Sequence, residues 1–214
     1  MSFNYEHSIQ QGNYETALKE IFFSIEKDPD NPVHYINGGT VLYNVGKLEE
    51  ANNFLLKAIE LDKDNAVAYY TLGNMYFNEG KYKDARTLLL SVYDKMSDDK
   101  DINYLLAMTH VHEGDLSLSV PFFEEMYRVG KEDYELVFQY ALTLCQLGLL
   151  DQGELLLTEI TSEHAHADSE YNLGLIQWTK YDDKESAKTH FQNAIKIKPD
   201  HILAHNGIKN LEEE

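Results

Sequence analysis

The chain has 214 residues, 43% of them hydrophobic, with 18 basic against 37 acidic side chains and a formal net charge of −19. That balance, without any basic cluster, opposes nucleic-acid binding, which needs cations to neutralise phosphates, and opposes attachment to anionic membrane surfaces. One cysteine, Cys145, leaves no intramolecular disulfide and fits a reducing compartment.

In chain order, the opening MSFNYEHSIQQGN has neither the basic nor the apolar region of a signal peptide. No apolar stretch approaches the roughly 18 residues of a membrane span, so a cytoplasmic location is expected. From Gly12 onward the chain is periodic. Gly12, Gly46, Gly80, Gly114 and Gly148 are spaced by 34 residues. Ala17, Ala51, Ala85, Ser119 and Gly153 form a small column in the same phase, followed four residues later by Ile21, Leu55, Leu89, Phe123 and Leu157. Small then large at a spacing of four is one helical face. A second small column, Gly39, Gly73, Ala107, Ala141 and Gly174, marks where two helices can approach closely. Each period therefore reads as helix, glycine turn, helix, and units of this size complete their cores only against neighbours.

Six such pairs are predicted, at about 1–31, 32–65, 66–99, 100–133, 134–166 and 167–201, in one domain spanning 1–214. The first lead helix runs over about Phe3–Gln11, and a last helix, about Ile202–Leu211, covers the open end before an acidic tail. Asp28-Pro29-Asp30-Asn31-Pro32, Asp62-Lys63-Asp64-Asn65 and Pro199-Asp200-His201 combine helix stops with N-cap residues. Pro121 conflicts with a second helix over Leu116–Val129 unless that helix starts late, at Ser117 or Ser119.

The third copy, Tyr69-x-x-Leu72-Gly73-x-x-Tyr76 followed by Gly80, Tyr82, Ala85 and Leu89, resembles the tetratricopeptide repeat. The last copy adds Leu173-Gly174 and Ala187-x-x-x-Phe191-x-x-Ala194 ending at Pro199, but Tyr181 replaces its turn glycine and an extra residue shifts the phase, so that turn should differ. The resemblance implies an all-α fold, an α-solenoid of about six helix-turn-helix repeats with a C-terminal capping helix. It also implies a concave groove, lined by the lead helices, in which partner segments bind.

On that face one column reads Ile36, Tyr70, Tyr104, Phe138 and Tyr171, and a second reads Tyr43, Phe77, Val111, Cys145 and Trp178. Tyr and Trp concentrate binding energy because they bury much area with few rotamers to freeze, although aromatics at helical spacing also serve as core. Beside them stand amides, including Asn37, Asn74, Gln139 and Asn172, able to hold the backbone of an extended peptide. Near the helix starts the series Val33, Val67, Asp101, Glu135, Asp168 turns from apolar to acidic. Such acids favour the helix dipole, and they also suit a Lys or Arg on a ligand. The cationic clamp by which some relatives grip a C-terminal carboxylate has no counterpart here, where Ile36, Tyr70, Val33 and Val67 occupy the places.

The expectation is a non-enzymatic, monomeric protein-interaction module without cofactor, holding an extended, neutral-to-basic segment of another protein. Its proposed contacts are Asn37, Tyr70, Asn74, Phe77, Asp101, Tyr104, Glu135, Phe138, Gln139 and Tyr171. Two alternatives remain open: a metal-dependent hydrolase using His164, His166 and nearby carboxylates, with His201 and His205 as a second pair at zinc spacing, and a scaffold acting through its acidic convex face.

Overall fold

The computed structural model describes residues 5–213. These are helical throughout, without a strand, and the chain divides into two compact units, one ending at Glu113 and one starting at Gly114. The first contains α1 (Tyr5–Gln10), α2 (Tyr14–Lys27), α3 (Pro32–Asn44), α4 (Leu48–Leu61), α5 (Ala66–Asn78), α6 (Tyr82–Leu90), α7 (Tyr93–Met96) and α8 (Lys100–Glu113). The second contains α9 (Leu116–Gly130), α10 (Tyr134–Gln146), α11 (Leu150–Glu163), α12 (Ala167–Tyr181), α13 (Lys184–Ile197) and α14 (Ile202–Glu213). Within each unit successive helices pack on one another, the arrangement of an α-solenoid. Of the predicted first lead helix, Phe3 and Asn4 lie outside the described residues.

The glycine period is a conformational requirement. All five glycines have positive φ, from 71° to 84°, a region open to glycine without the penalty a Cβ imposes. At Gly46 the turn closes with Lys47 N–H donating to the Leu42 carbonyl at 2.9 Å, and Gly80 and Gly148 repeat that bond through Lys81 and Leu149. The sixth turn does differ, but the residue in the left-handed region is Asp182, φ 54°, and not Tyr181, which ends α12. Asp183 N–H there reaches back to Gln177 at 3.0 Å, one residue further than in the glycine turns, so the extra residue lengthens the loop closure.

The small columns are points of contact. Ala17, Ala51, Ala85 and Ala187 are fully buried, as are Ile21, Leu55, Leu89 and Phe191 four residues on. A Cβ on Gly39 would lie 2.7 Å from Leu55 Cγ, and one on Gly174 2.6 Å from Phe191 Cε1. From α3 to α12 each lead helix thus meets its partner across a glycine or alanine. In α14 the equivalent place holds Lys209, whose side chain is exposed, as suits a helix without a second helix packed on that side.

Two second helices depart from expectation. α9 starts at Leu116, not late, so Pro121 is inside it. The missing N–H leaves the carbonyl of Ser117 without its helical donor, and both residues are exposed, which lets water supply the bond. In the third pair the helix breaks between α6 and α7. Ser91 Oγ donates to the Leu88 carbonyl at 2.6 Å, and Val92 N–H turns to Leu89, three residues back. A serine hydroxyl competing for a helical carbonyl disfavours regular continuation.

Candidate functional site

The lead-helix face of the first unit is built on α3, α5 and α8. Tyr70 and Asn74 lie one turn apart on α5, with Tyr104 on α8 and Asp101 in its first turn. Tyr70 and Tyr104 are half-buried and Asp101 is exposed. Burial, then the charges of Asp101 and Asp99, push the Tyr70 phenol up to about 12. Asp99 is fixed by capping α8: its Oδ1 accepts the N–H groups of Asp101 at 2.8 Å and Ile102 at 3.1 Å. Sequence reasoning passed over Asp99, although its place just before a lead helix marks it. Val33 and Val67 add exposed apolar side chains at the starts of α3 and α5.

Two residues expected on this face are engaged inside the unit. Asn37 Nδ2 donates to the Tyr5 hydroxyl at 3.4 Å, and that hydroxyl also meets His34 Nδ1 at 3.2 Å. Phe77 belongs to a three-ring cluster, edge-on to Tyr82 at 5.5 Å and to His112 at 5.6 Å, while Tyr82 and His112 stack at 4.4 Å. That cluster ties α5, α6 and α8 together. Asn74 accepts from Asn78 at 3.3 Å and remains half-buried on the face.

In the second unit one ring of the Tyr70 column is closed over and the next is half-buried. Phe138 is only 8% exposed, its ring edge-on to His166 at 4.6 Å, so it packs where partial exposure was expected. Tyr171 lies 5.6 Å from Phe191 and 5.4 Å from His201, and burial pushes its phenol up. Gln139 is half-buried, and Glu135 is exposed with Oε1 3.9 Å from His166 Nε2.

The imidazoles considered for metal binding have structural partners. His166 caps α12, its Nδ1 accepting the Ser169 N–H at 3.2 Å, and His164 stacks on Tyr134 at 4.2 Å. His201 accepts the Ala204 N–H on Nδ1 at 3.1 Å while its Nε2 meets Asp168 Oδ1 at 3.1 Å, and His205 Nε2 reaches the Pro199 carbonyl at 2.9 Å. A nitrogen accepting a helix N–H has no lone pair left for a metal. Burial, with Glu154 adding to it, raises the Cys145 thiol above its ordinary range, which opposes the thiolate a nucleophile needs.

Residues 39–80 match the TPR repeat model, and no curated protein matches the chain in sequence. Among solved structures, YrrB, described as a TPR protein with an unusual peptide-binding site, is 30% identical with a TM-score of 0.79, over 88% of this chain and 97% of its own. PilF of Pseudomonas aeruginosa is 16% identical with a TM-score of 0.80, over 98% and 94%. The C-terminal part of a TPR repeat-containing protein from Cytophaga hutchinsonii is 15% identical with a TM-score of 0.76, over 95% and 84%. The chain belongs to the tetratricopeptide repeat family. Its fold is that of a protein-interaction scaffold, and among the described residues no helix is long and apolar enough to cross a membrane.

Proposed function

We propose that the chain is a non-enzymatic interaction module whose first unit holds an extended, neutral-to-basic segment of another protein against its lead helices. The observation that carries this reading is the half-exposed Tyr70 on α5, one turn after exposed Val67, together with Asp99 and Asp101 at the start of the next lead helix, α8. An aromatic ring with carboxylates at the next helix start suits the stem and head of a Lys or Arg, through apolar contact and charge. Exposed Val67 one turn earlier on α5 supplies apolar surface, and Asn74 one turn later supplies an amide able to pair with peptide backbone. The peptide-binding description of YrrB, at 30% identity, supports the same role. In the second unit, taken by itself, Glu135, Gln139 and Tyr171 are proposed as weaker contacts on its own lead-helix face, with Phe138 as a support beneath His166. The protein acts as a cytoplasmic monomer without cofactor.

Peptides selected from a random display library against the intact protein test the proposal. The selected sequences should be rich in Lys or Arg beside apolar residues, and Tyr104→Ala should weaken them by on the order of 2 kcal/mol, roughly thirtyfold. Raising salt should slow association, and reversing Asp101, Glu135 and Asp168 should abolish that dependence. Selected peptides indifferent to both changes would move the site off the lead helices.

A further inference from the structure

On the second helices of the first unit, the residue five places after the buried alanine is large and apolar in every copy. Phe22, Leu56 and Leu90 follow Ala17, Ala51 and Ala85, and they are 47%, 45% and 48% exposed. One turn later come Glu26, Glu60 and Asp94, all exposed, the last just past the break between α6 and α7. A spacing of four keeps the first two pairs on one helical face, while the third spans the break between α6 and α7. The copies repeat in one register, so an exposed apolar position recurs on α2, α4 and α6, with an exposed acid one turn on in α2 and α4 and a third just past the end of α6.

The second unit supplies an internal control. Its equivalent positions after Ser119, Gly153 and Ala187 are Glu124, Thr158 and Gln192, then Arg128, Ser162 and Lys196, again all exposed. The fold therefore requires neither an apolar residue at the first position nor an acid at the second. Both rows change together, apolar to polar and acidic to neutral or basic. Isolated apolar residues on a surface need no explanation, but a contiguous row edged by charge marks an interaction surface.

We infer that this ridge docks a second partner segment, one carrying a line of apolar side chains edged along one side by Lys or Arg. Charge complementarity selects that occupant. A second copy of this chain, at −19, would bring like charge toward the acidic row and be repelled. Lys57 reaches Glu60 at 3.0 Å, but both are exposed, and such a pair gives way readily to a competing cation. The ridge lies on the second helices and the peptide face on the lead helices, so the two surfaces are independent and fail independently.

The test uses the intact protein and two fluorescein-labelled synthetic amphipathic peptides with one apolar pattern, one of Leu and Lys and one of Leu and Glu. Fluorescence anisotropy is read at about physiological ionic strength, where long-range attraction is screened. The Leu–Lys peptide should bind and the Leu–Glu peptide should not. Affinity for the former should fall at least about tenfold in the Phe22→Ser, Leu56→Ser, Leu90→Ser triple, which keeps every charge, and similarly in the Glu26→Gln, Glu60→Gln, Asp94→Asn triple, which keeps the apolar row. Both triples are read in a Tyr70→Ala, Tyr104→Ala background, which removes the lead-helix face, and the Leu–Lys peptide should still bind there. Circular dichroism melts identify a triple that fails to fold, and the other triple then decides. In that background, affinity indifferent to the apolar triple, or no binding at all, overturns the inference. So does a wild-type dimer in sedimentation that the serine triple converts to monomer, which would make a second copy the occupant.

Discussion

The two units share one register and differ in what they leave open. In the first, the residues capping the lead helices are short: Asn31, Asn65 and Asp99. In the second, His166 and His201 cap α12 and α14. A cap stands over the aromatic column of the preceding copy. Tyr70, one copy before Asp99, is half-exposed, whereas His166 lies edge-on over Phe138, and His201 lies 5.4 Å from the half-buried Tyr171. All five satisfy helix N–H groups, so the repeat requires only an acceptor there. Cap size alone does not set exposure along the column: Ile36 is 8% exposed although the cap one copy later, Asn65, is short, and Tyr171 stays half-buried although His201 lies against it, so the contrast holds for Tyr70 and Phe138 in particular.

Phe138→Ala breaks that comparison most sharply. A ring 8% exposed should cost about 3–5 kcal/mol of stability in denaturant titration. Tyr104→Ala, half-buried in the same column, should cost clearly less. Equal costs would mean that capping does not set the difference. Hydrogen exchange should place the loss from Phe138→Ala in α10–α12 and spare α2–α5, because repeats are stabilised through nearest neighbours.

The turns offer the next contrast. Gly80→Val should destabilise by about 1–3 kcal/mol, since φ is 73° there. Asp182→Gly should stabilise by up to about 1 kcal/mol by relieving a left-handed residue that carries a Cβ. The caps come after these. His201→Ala should cost about 1 kcal/mol and His201→Asn should recover most of it. If His201 served chiefly through its contact with Asp168, asparagine would recover little.

How much of this was legible in the sequence depends on what the period constrains. Gly46, Gly80 and the alanine columns repeat because backbone conformation and close approach tolerate no alternative, and a single chain displays that constraint several times. Exposure along the aromatic column did not repeat: Tyr70 and Phe138 have identical helical phase, and the covering group lies one copy later in the sequence. The break at Ser91 and Val92 carries no glycine or proline to announce it. The ridge of Phe22, Leu56 and Leu90 is visible in the sequence as a column. Its significance appears only once the second unit shows that the position is free to be polar.

The smallest effect separates two causes of one shift. Tyr70 in the first unit and Tyr127 in the second both have phenols raised to about 12. For Tyr70 the main cause is burial, with Asp101 next. For Tyr127 it is the hydrogen bond its hydroxyl donates to Glu159 Oε2 at 2.6 Å. Both phenols are protonated below about pH 10 whether the chain is folded or not, so neither makes stability depend on pH there. Above about 10 the unfolded chain releases these protons first, and stability falls until the folded phenols ionise near 12. Asp101→Asn should lower the Tyr70 titration only in part, because burial persists, while Glu159→Gln should return Tyr127 most of the way to an ordinary phenol. Ring-carbon NMR of the two tyrosines reads each titration separately. A large response of Tyr70 to Asp101→Asn would mean that the carboxylate, more than burial, governs its environment, and would strengthen the case for a cation at that ring.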